Sequence, residues 1–425
     1  MKKQRNARDE NTASRRRFTA YMKWLTTACG HADRAQPLRE YCAGLMLPGD
    51  RKSVEPMAAR FAPSMSRLSS KHQSMHHFVA DAPWDDSRLL TAVRDYVLPR
   101  VARRDPVKSW ILDDTGMPKK GVHSVGVARQ YCGQTGKVDN CQVAVSLSLA
   151  GESWSLPVAY ALYLPKEWAM DSASRRKTGV PETAVFQTKT QIALRQLEQA
   201  VAAGLPAGVV LGDAAYGDDN TLREGIVALG LQYAMGIRPA TTVWPGKGGP
   251  RRSGAKTAPR KAVSVSATAL ALPAEAWRSV SWREGTQKPL RSRFAALRVR
   301  IAHLGGNGAP APVWLLIEWP KGEAAPTKYF LSNLPETLSL KALVQAVKSR
   351  WRIERDYQEL KSELGLGHYE GRGWRGFHHH ASLCIAAYGF LVAERGLSPP
   401  PDKLRFLIRL PRRPSGFRPR GAPAT

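Results

Sequence analysis

No apolar run in the 425 residues reaches 18, which excludes an ordinary membrane-spanning helix. The opening "MKKQRNARDENTASRRRF" is basic and lacks the apolar stretch of a secretion signal, so a cytoplasmic protein with no membrane partner is expected. Cysteine is scarce. Cys29, Cys42, Cys132, Cys141 and Cys384 are odd in number and contain no CxxC pair, which excludes a disulfide framework and the usual zinc spacing. Reduced, mostly buried thiols are expected. Acid is the other shortage: 35 Asp and Glu stand against 64 Lys and Arg, a formal net charge of +29. An excess of that size exceeds ordinary surface imbalance and calls for a polyanionic partner, nucleic acid before an anionic membrane.

With 43% apolar residues, the chain can bury one large core or two to three ordinary ones. After a basic tail over 1–17, residues 18–102 carry apolar side chains at helical spacing, punctuated by Pro37, Pro48, Pro63 and Pro83. This predicts a helical domain of four or five helices. From 105 to 238 the texture changes. Val- and Leu-rich runs such as "SWILDD" and "CQVAVSLSLA" predict strands, a helix is expected from about Thr183 to Ala203, and "VVLGDAAYGDD" repeats the theme of a short strand ending in an acid. The segment 239–334 begins with a Gly-, Pro- and base-rich excursion (Pro239 to Ala262) and continues as alternating runs, "KAVSVSATAL" among them, that predict a β-rich insertion. A long helix is expected from Ser339 to about Leu364 and another from His378 to about Arg395, together filling 335–397. A basic, Pro-rich tail occupies 398–425.

This order predicts an α/β fold whose strand ends gather carboxylates over one sheet edge. Phosphoryl transfer on nucleic acid uses such a set, because two divalent cations roughly 3.5–4 Å apart, held by oxygen ligands, activate the attacking oxygen and neutralise the leaving one. The first candidates are Asp113 and Asp114, of which only one can readily face the metals because strand side chains alternate; Thr115 and Gly116 are expected to turn the chain. Asp213 is the second, although it could equally cap the next helix. The third is Glu354, which shares a helix face with Arg350 and Lys361. Arg352, Arg355, Arg350 and Lys361 surround it with charge suited to phosphate. The polar segment containing Arg129 and Lys137 reads either as a DNA-facing loop or as a structural hairpin. The run His378–His380 points three ways on a helix, which favours phosphate contact or solvation over a metal site.

These motifs resemble the DDE transposases of bacterial insertion sequences, in particular the insertion-sequence-701 family, related to the insertion-sequence-4 group. The resemblance runs from about Tyr41 to Arg395 through "YCAGLMLPGDRKSVEPMA", "WILDDTGMPKKG", "VLGDAAYGD" and "RWRIERDYQELKSELGLGHYEGRGWRGFHHHASL". It implies a ribonuclease-H-like core with a β-rich insertion between the second acid and the Glu. It also implies catalytic, metal-binding roles for Asp114, Asp213 and Glu354, with Asp113 as the alternative to Asp114, and two Mg²⁺ (or Mn²⁺) ions. The family's Tyr-x2-Arg-x3-Glu-x6-Lys pattern maps onto Arg350, Glu354 and Lys361. Val347 stands in the Tyr position, so hairpin handling is not implied. The activity implied is binding of inverted-repeat ends, then cleavage and joining of DNA, by a dimer on transposon and target DNA. A catalytically silent, DNA-binding derivative is the alternative.

Overall fold

The computed structural model describes residues 2–245, 261–283, 289–302 and 311–397. Most of the Gly- and Pro-rich excursion and the whole tail 398–425 lie outside the described residues. Five helices open the chain: α1 (Lys2–Ala28), α2 (Ala35–Met46), α3 (Val54–Phe61), α4 (Leu68–Ala80) and α5 (Asp86–Val101). Residues 2–17, expected as a tail, form the first part of α1, and Arg17 ion-pairs with Glu394 at 2.6 Å. Asp85 starts α5 by accepting the amides of Ser87 and Arg88, the side-chain cap that relieves unpaired N–H groups at a helix start.

The next segment contains β1 (Ser109–Pro118), β2 (Ala128–Cys132), β3 (Lys137–Ala150), β4 (Ser155–Leu162), α6 (Lys166–Met170), α7 (Ser172–Thr178), α8 (Lys189–Ala202), β5 (Val209–Gly212), α9 (Ala214–Gly217), α10 (Asn220–Ala228) and β6 (Tyr233–Ile237). Its sheet order is β4-β3-β1-β5-β6. β3 runs antiparallel to β1 and β4, while β5 is parallel to β1 and β6 to β5. This is the ribonuclease-H-like arrangement.

The acids do not end β1, and Thr115 and Gly116 do not turn it. The fourteen-residue β3 is long enough to pair with all of β1, setting Thr115 opposite Ala144 and Gly116 opposite Val143. Gly116 serves close packing instead: a Cβ there would lie 2.7 Å from Cys132 Sγ.

β7 (Thr242–Pro245), β8 (Val263–Ser264), α11 (Val265–Leu270), β9 (Arg278–Arg283), β10 (Leu290–Ile301), β11 (Val313–Trp319) and β12 (Lys328–Ser332) follow. β12 pairs antiparallel with β6, Tyr329 opposite Ile237, so the insertion continues the core sheet instead of standing apart from it. "KAVSVSATAL" is mostly helix, not strand. Ser264 caps the amide of Ala267 and starts α11, overriding the alternation that suggested a strand.

The expected long helix is a helical run of changing pitch. α12 (Leu340–Lys348) tightens into a 3₁₀ turn (Ser349–Trp351), α13 (Arg352–Gln358) follows, and a π turn (Glu359–Glu363) widens it. Such departures from α geometry often mark functional sites. The last helix, α14 (Trp374–Leu397), is buried on nearly every side between the N-terminal helices and β4, as an all-round apolar helix must be. Tyr21 Oη donates to Ala386 O at 2.9 Å across this contact.

The histidine run lies in that core, neither solvated nor available to phosphate. His379 Nδ1 and Nε2 sit 3.0 Å from Val79 O and 2.8 Å from Trp84 O, with its ring stacked on Trp84. His380 joins Tyr41 Oη and Gly365 O, both at 2.9 Å, and His378 Nδ1 lies 3.0 Å from Trp374 O. Burial pushes His379 and His380 down to about 4, so both are neutral at neutral pH and attract no anion.

Candidate active site

Ser109 to Ile111 of β1 lie beside Val209 to Leu211 of β5, and continuing that parallel register brings Asp113 beside Asp213. The two strands therefore carry two carboxylates to one edge. Side chains alternate along a strand, so Asp113 and Asp114 face opposite sides of the sheet. Asp113 shares its face with Ser146, its cross-strand partner, whose Oγ meets Tyr357 Oη of α13 at 2.7 Å. Asp114 faces α8, where Lys189 Nζ donates to its Oδ2 at 2.7 Å.

One guanidinium gathers the α13 side. Arg350 Nη2 lies 3.6 Å from both Asp113 Oδ1 and Asp213 Oδ2, and its Nη1 lies 3.8 Å from Glu354 Oε1. The structure thus brings together Asp113, Asp213, Glu354 and Arg350. It does not bring in Asp114, the acid that the resemblance selects. The physical reason is strand alternation combined with the side on which α13 packs.

Burial is the largest influence on Asp113 and pushes its carboxyl up to about 7; Arg350 opposes this, while Asp213 and Asp114 add to it. Asp213 is also the N-cap of α9, accepting the amide of Ala215 at 2.9 Å, so its capping and site-facing positions are compatible. Asp219 caps α10 through the amide of Leu222, whereas Asp218 accepts from Thr241 Oγ1 and the Arg238 amide. α13 is fixed from below. Asp356 accepts from Ser155 Oγ and from Tyr388 Oη at 2.8 Å, and burial pushes its carboxyl up to about 7.

Lys361, on the π turn, donates to Gly116 O at 2.9 Å, three residues beyond Asp113 and about 10 Å along the strand. Burial lowers its pKa. Arg352 stacks over the Trp351 ring at 5.2 Å, and Arg355 pairs with Glu359 at 3.2 Å. Arg129 and Lys137 are exposed on the β2–β3 hairpin, away from the acids, with Ala128 to Cys132 paired to Cys141 to Lys137.

Lys189, the partner of Asp114 on the opposite face, is a residue that sequence reasoning passed over. Its signal is the capping box of Thr188 and Gln191, which fixes the start of α8 and so the position of Lys189. Val347, in the place of the family Tyr, is buried.

Among the described residues, no three Asp, Glu, His or Cys side chains lie close enough as they stand to hold a metal ion. The donor chemistry nevertheless suits one. Asp113, Asp213 and Glu354 offer only oxygen, and their shared Arg350 shows that the site accepts positive charge.

A ribonuclease-H-like sheet with one acid within a central strand, a second at the end of the adjacent strand and a third acid on a later helix defines a class. The chain belongs to the DDE superfamily endonucleases, whose family model matches residues 24–289, well over half of the sequence. That span contains Asp113, Asp114 and Asp213 and stops before Glu354. Within the class, the chain is similar to the "Probable transposase for insertion sequence element IS701" of Microchaete diplosiphon, 31% identical over 167 residues. The similarity covers 39% of this chain and 40% of that protein, about two fifths of each. Among the described residues, no helix is long and apolar enough to cross a membrane.

Proposed function

We propose that this protein is a transposase of the insertion-sequence-701 kind, which binds the inverted-repeat ends of its element and cuts and joins DNA. The convergence of Asp113, Asp213 and Glu354 on Arg350 supports this reading most directly. In it, Asp113 replaces Asp114 as the first acid, and the three carboxylates hold Mg²⁺ or Mn²⁺, two ions in all. Such ions would lower the pKa of the attacking water or 3′-hydroxyl and neutralise the leaving oxygen.

The chain's own residues supply the rest. Arg350, released from the carboxylates, presents its planar fork to a phosphate, for which bidentate pairing is its best geometry. Lys361 holds a point charge farther along the strand. Lys189 neutralises Asp114, which lowers the repulsion beside Asp113. The N-terminal helices, expected over 18–102, read the transposon ends, and two protomers bring two ends together. The work takes place in the cytoplasm, on nucleoid DNA.

The test uses the full chain, labelled duplexes from the DNA flanking its reading frame, and Mg²⁺. The expected result is nicking by the wild type, lost in Asp213→Ala with end binding retained. Binding without nicking, and no effect of Asp213→Ala, would overturn the enzyme reading in favour of a silent DNA-binding derivative.

A further inference from the structure

A groove of about 420 Å³ opens beyond the far end of β1, and nothing in the acid cluster accounts for it. Three separate parts of the chain wall it: Arg51 and Ser53 between α2 and α3, the loop following β1, and the loop between the π turn and α14. Four cations, Arg51, Lys119, Lys120 and Arg372, face a single carboxylate, Glu370. Lys119 ties two walls together by donating to Tyr369 O at 2.7 Å, and the Val125 amide does the same to Arg372 O at 2.9 Å. Lys120 and Arg372 are left exposed. Arg51 pairs with Glu370, but both are largely exposed, so solvent screens the pair and a stronger anion can replace it.

We propose that this groove holds backbone phosphates of the DNA duplex whose cleavage site lies at Asp113; the proposal rests on the DNA-cleaving reading above. Its lining sets four cations and the hydroxyls of Ser53 and Ser124 against one carboxylate, a charge balance that suits the repeating anions of a phosphodiester chain. Position favours the same ligand. Asp113 and Lys119 are six residues apart, about 20 Å of extended strand, which matches about six base steps at roughly 3.4 Å each. The groove also joins the N-terminal helices to the strand bearing the acids, so a duplex in it contacts both.

The experiment measures binding of a 30-base-pair duplex by the full chain against salt concentration, without divalent metal. The Lys120→Ala/Arg372→Ala double variant is expected to bind about tenfold more weakly at 0.1 M salt, and its log K against log salt slope to be shallower by about 1.8, roughly 0.9 per phosphate lost. Glu370→Gln is expected to bind about twofold more tightly, because it removes a carboxylate that repels phosphate. That opposite sign is one a merely structural role would not produce. Thermal melting checks that both variants fold.

Wild-type affinity and slope in the double variant would overturn the groove alone. Failure of the wild type to bind any duplex would overturn the DNA-cleaving reading and the groove with it. Loss of polyglutamate binding with duplex binding intact would assign the groove to an acidic protein segment, and so overturn the proposal.

Discussion

On the face of β1 turned toward α13, the Asp113 side chain is about 15% exposed, with Arg350 as its counter-charge and Asp213 alongside. One residue on, on the face turned toward α8, Asp114 is ion-paired to Lys189 with both side chains about a quarter exposed. The two acids have the same chemistry and the same strand. What separates them is the element packed on each side, one bringing a shared cation and further carboxylates, the other a private lysine. The α13 face sets three carboxylates around one guanidinium, whereas the α8 face pairs a single carboxylate with a lysine.

The sharpest way to break this comparison is activity. Asp113→Ala is expected to lower nicking of a labelled end duplex about a thousandfold or more, as loss of a member of a cooperating set does, while Asp114→Ala stays within about tenfold of wild type. The reverse ranking would return the first role to Asp114.

A smaller effect lies in stability against pH. The folded-state pKa of Asp113, about 7, lies above the unfolded value of about 3.9. The folded protein therefore keeps a proton that the unfolded chain has lost. The stability this group contributes is fully present below about pH 4 and is lost as pH rises through about 7. Between pH 4 and 8 the wild type should lose on the order of 3–4 kcal/mol more than Asp113→Asn, read by denaturant unfolding. Asp356, raised in the same direction, is present in both proteins and cancels. Parallel pH profiles would mean that Asp113 is better hydrated than its burial implies. The smallest effect belongs to the other face: Asp114→Asn should cost no more than about 1 kcal/mol at pH 7, since its partner Lys189 is partly solvated and salt screens the pair.

Much of this was legible in the sequence. Asp213, Glu354 and Arg350 were singled out from strand ends and helix spacing, and the structure brings them together. Which acid of "DDTG" faces α13 was not legible. Alternation says that one acid faces each side, but both faces of a core strand are covered, so no apolar-polar asymmetry reveals which side carries α13. The histidine run misled for a different reason. Read alone, three polar rings suggest solvent, yet the helix they open, "WRGFHHHASLCIAAYGFLVAERGL", is apolar all round, and that signals burial for its first turn too. The pitch changes at Ser349–Trp351 and Glu359–Glu363 flank a segment held by the long-range bonds of Asp356 and Tyr357, contacts that helical spacing alone does not reveal.

The burial of α14 bears on how such proteins can be recombined. The helix is at once the floor of the N-terminal region, through Tyr21 and Trp84, and the backing of the sheet that carries Asp113, through β4. Neither half has a finished surface without it. A chimaera exchanging only the first hundred residues with those of a relative would leave foreign side chains against His379, His380 and Ala386. An exchange that keeps this contact intact has to carry the N-terminal helices and α14 together, two stretches distant in sequence that share one packed surface.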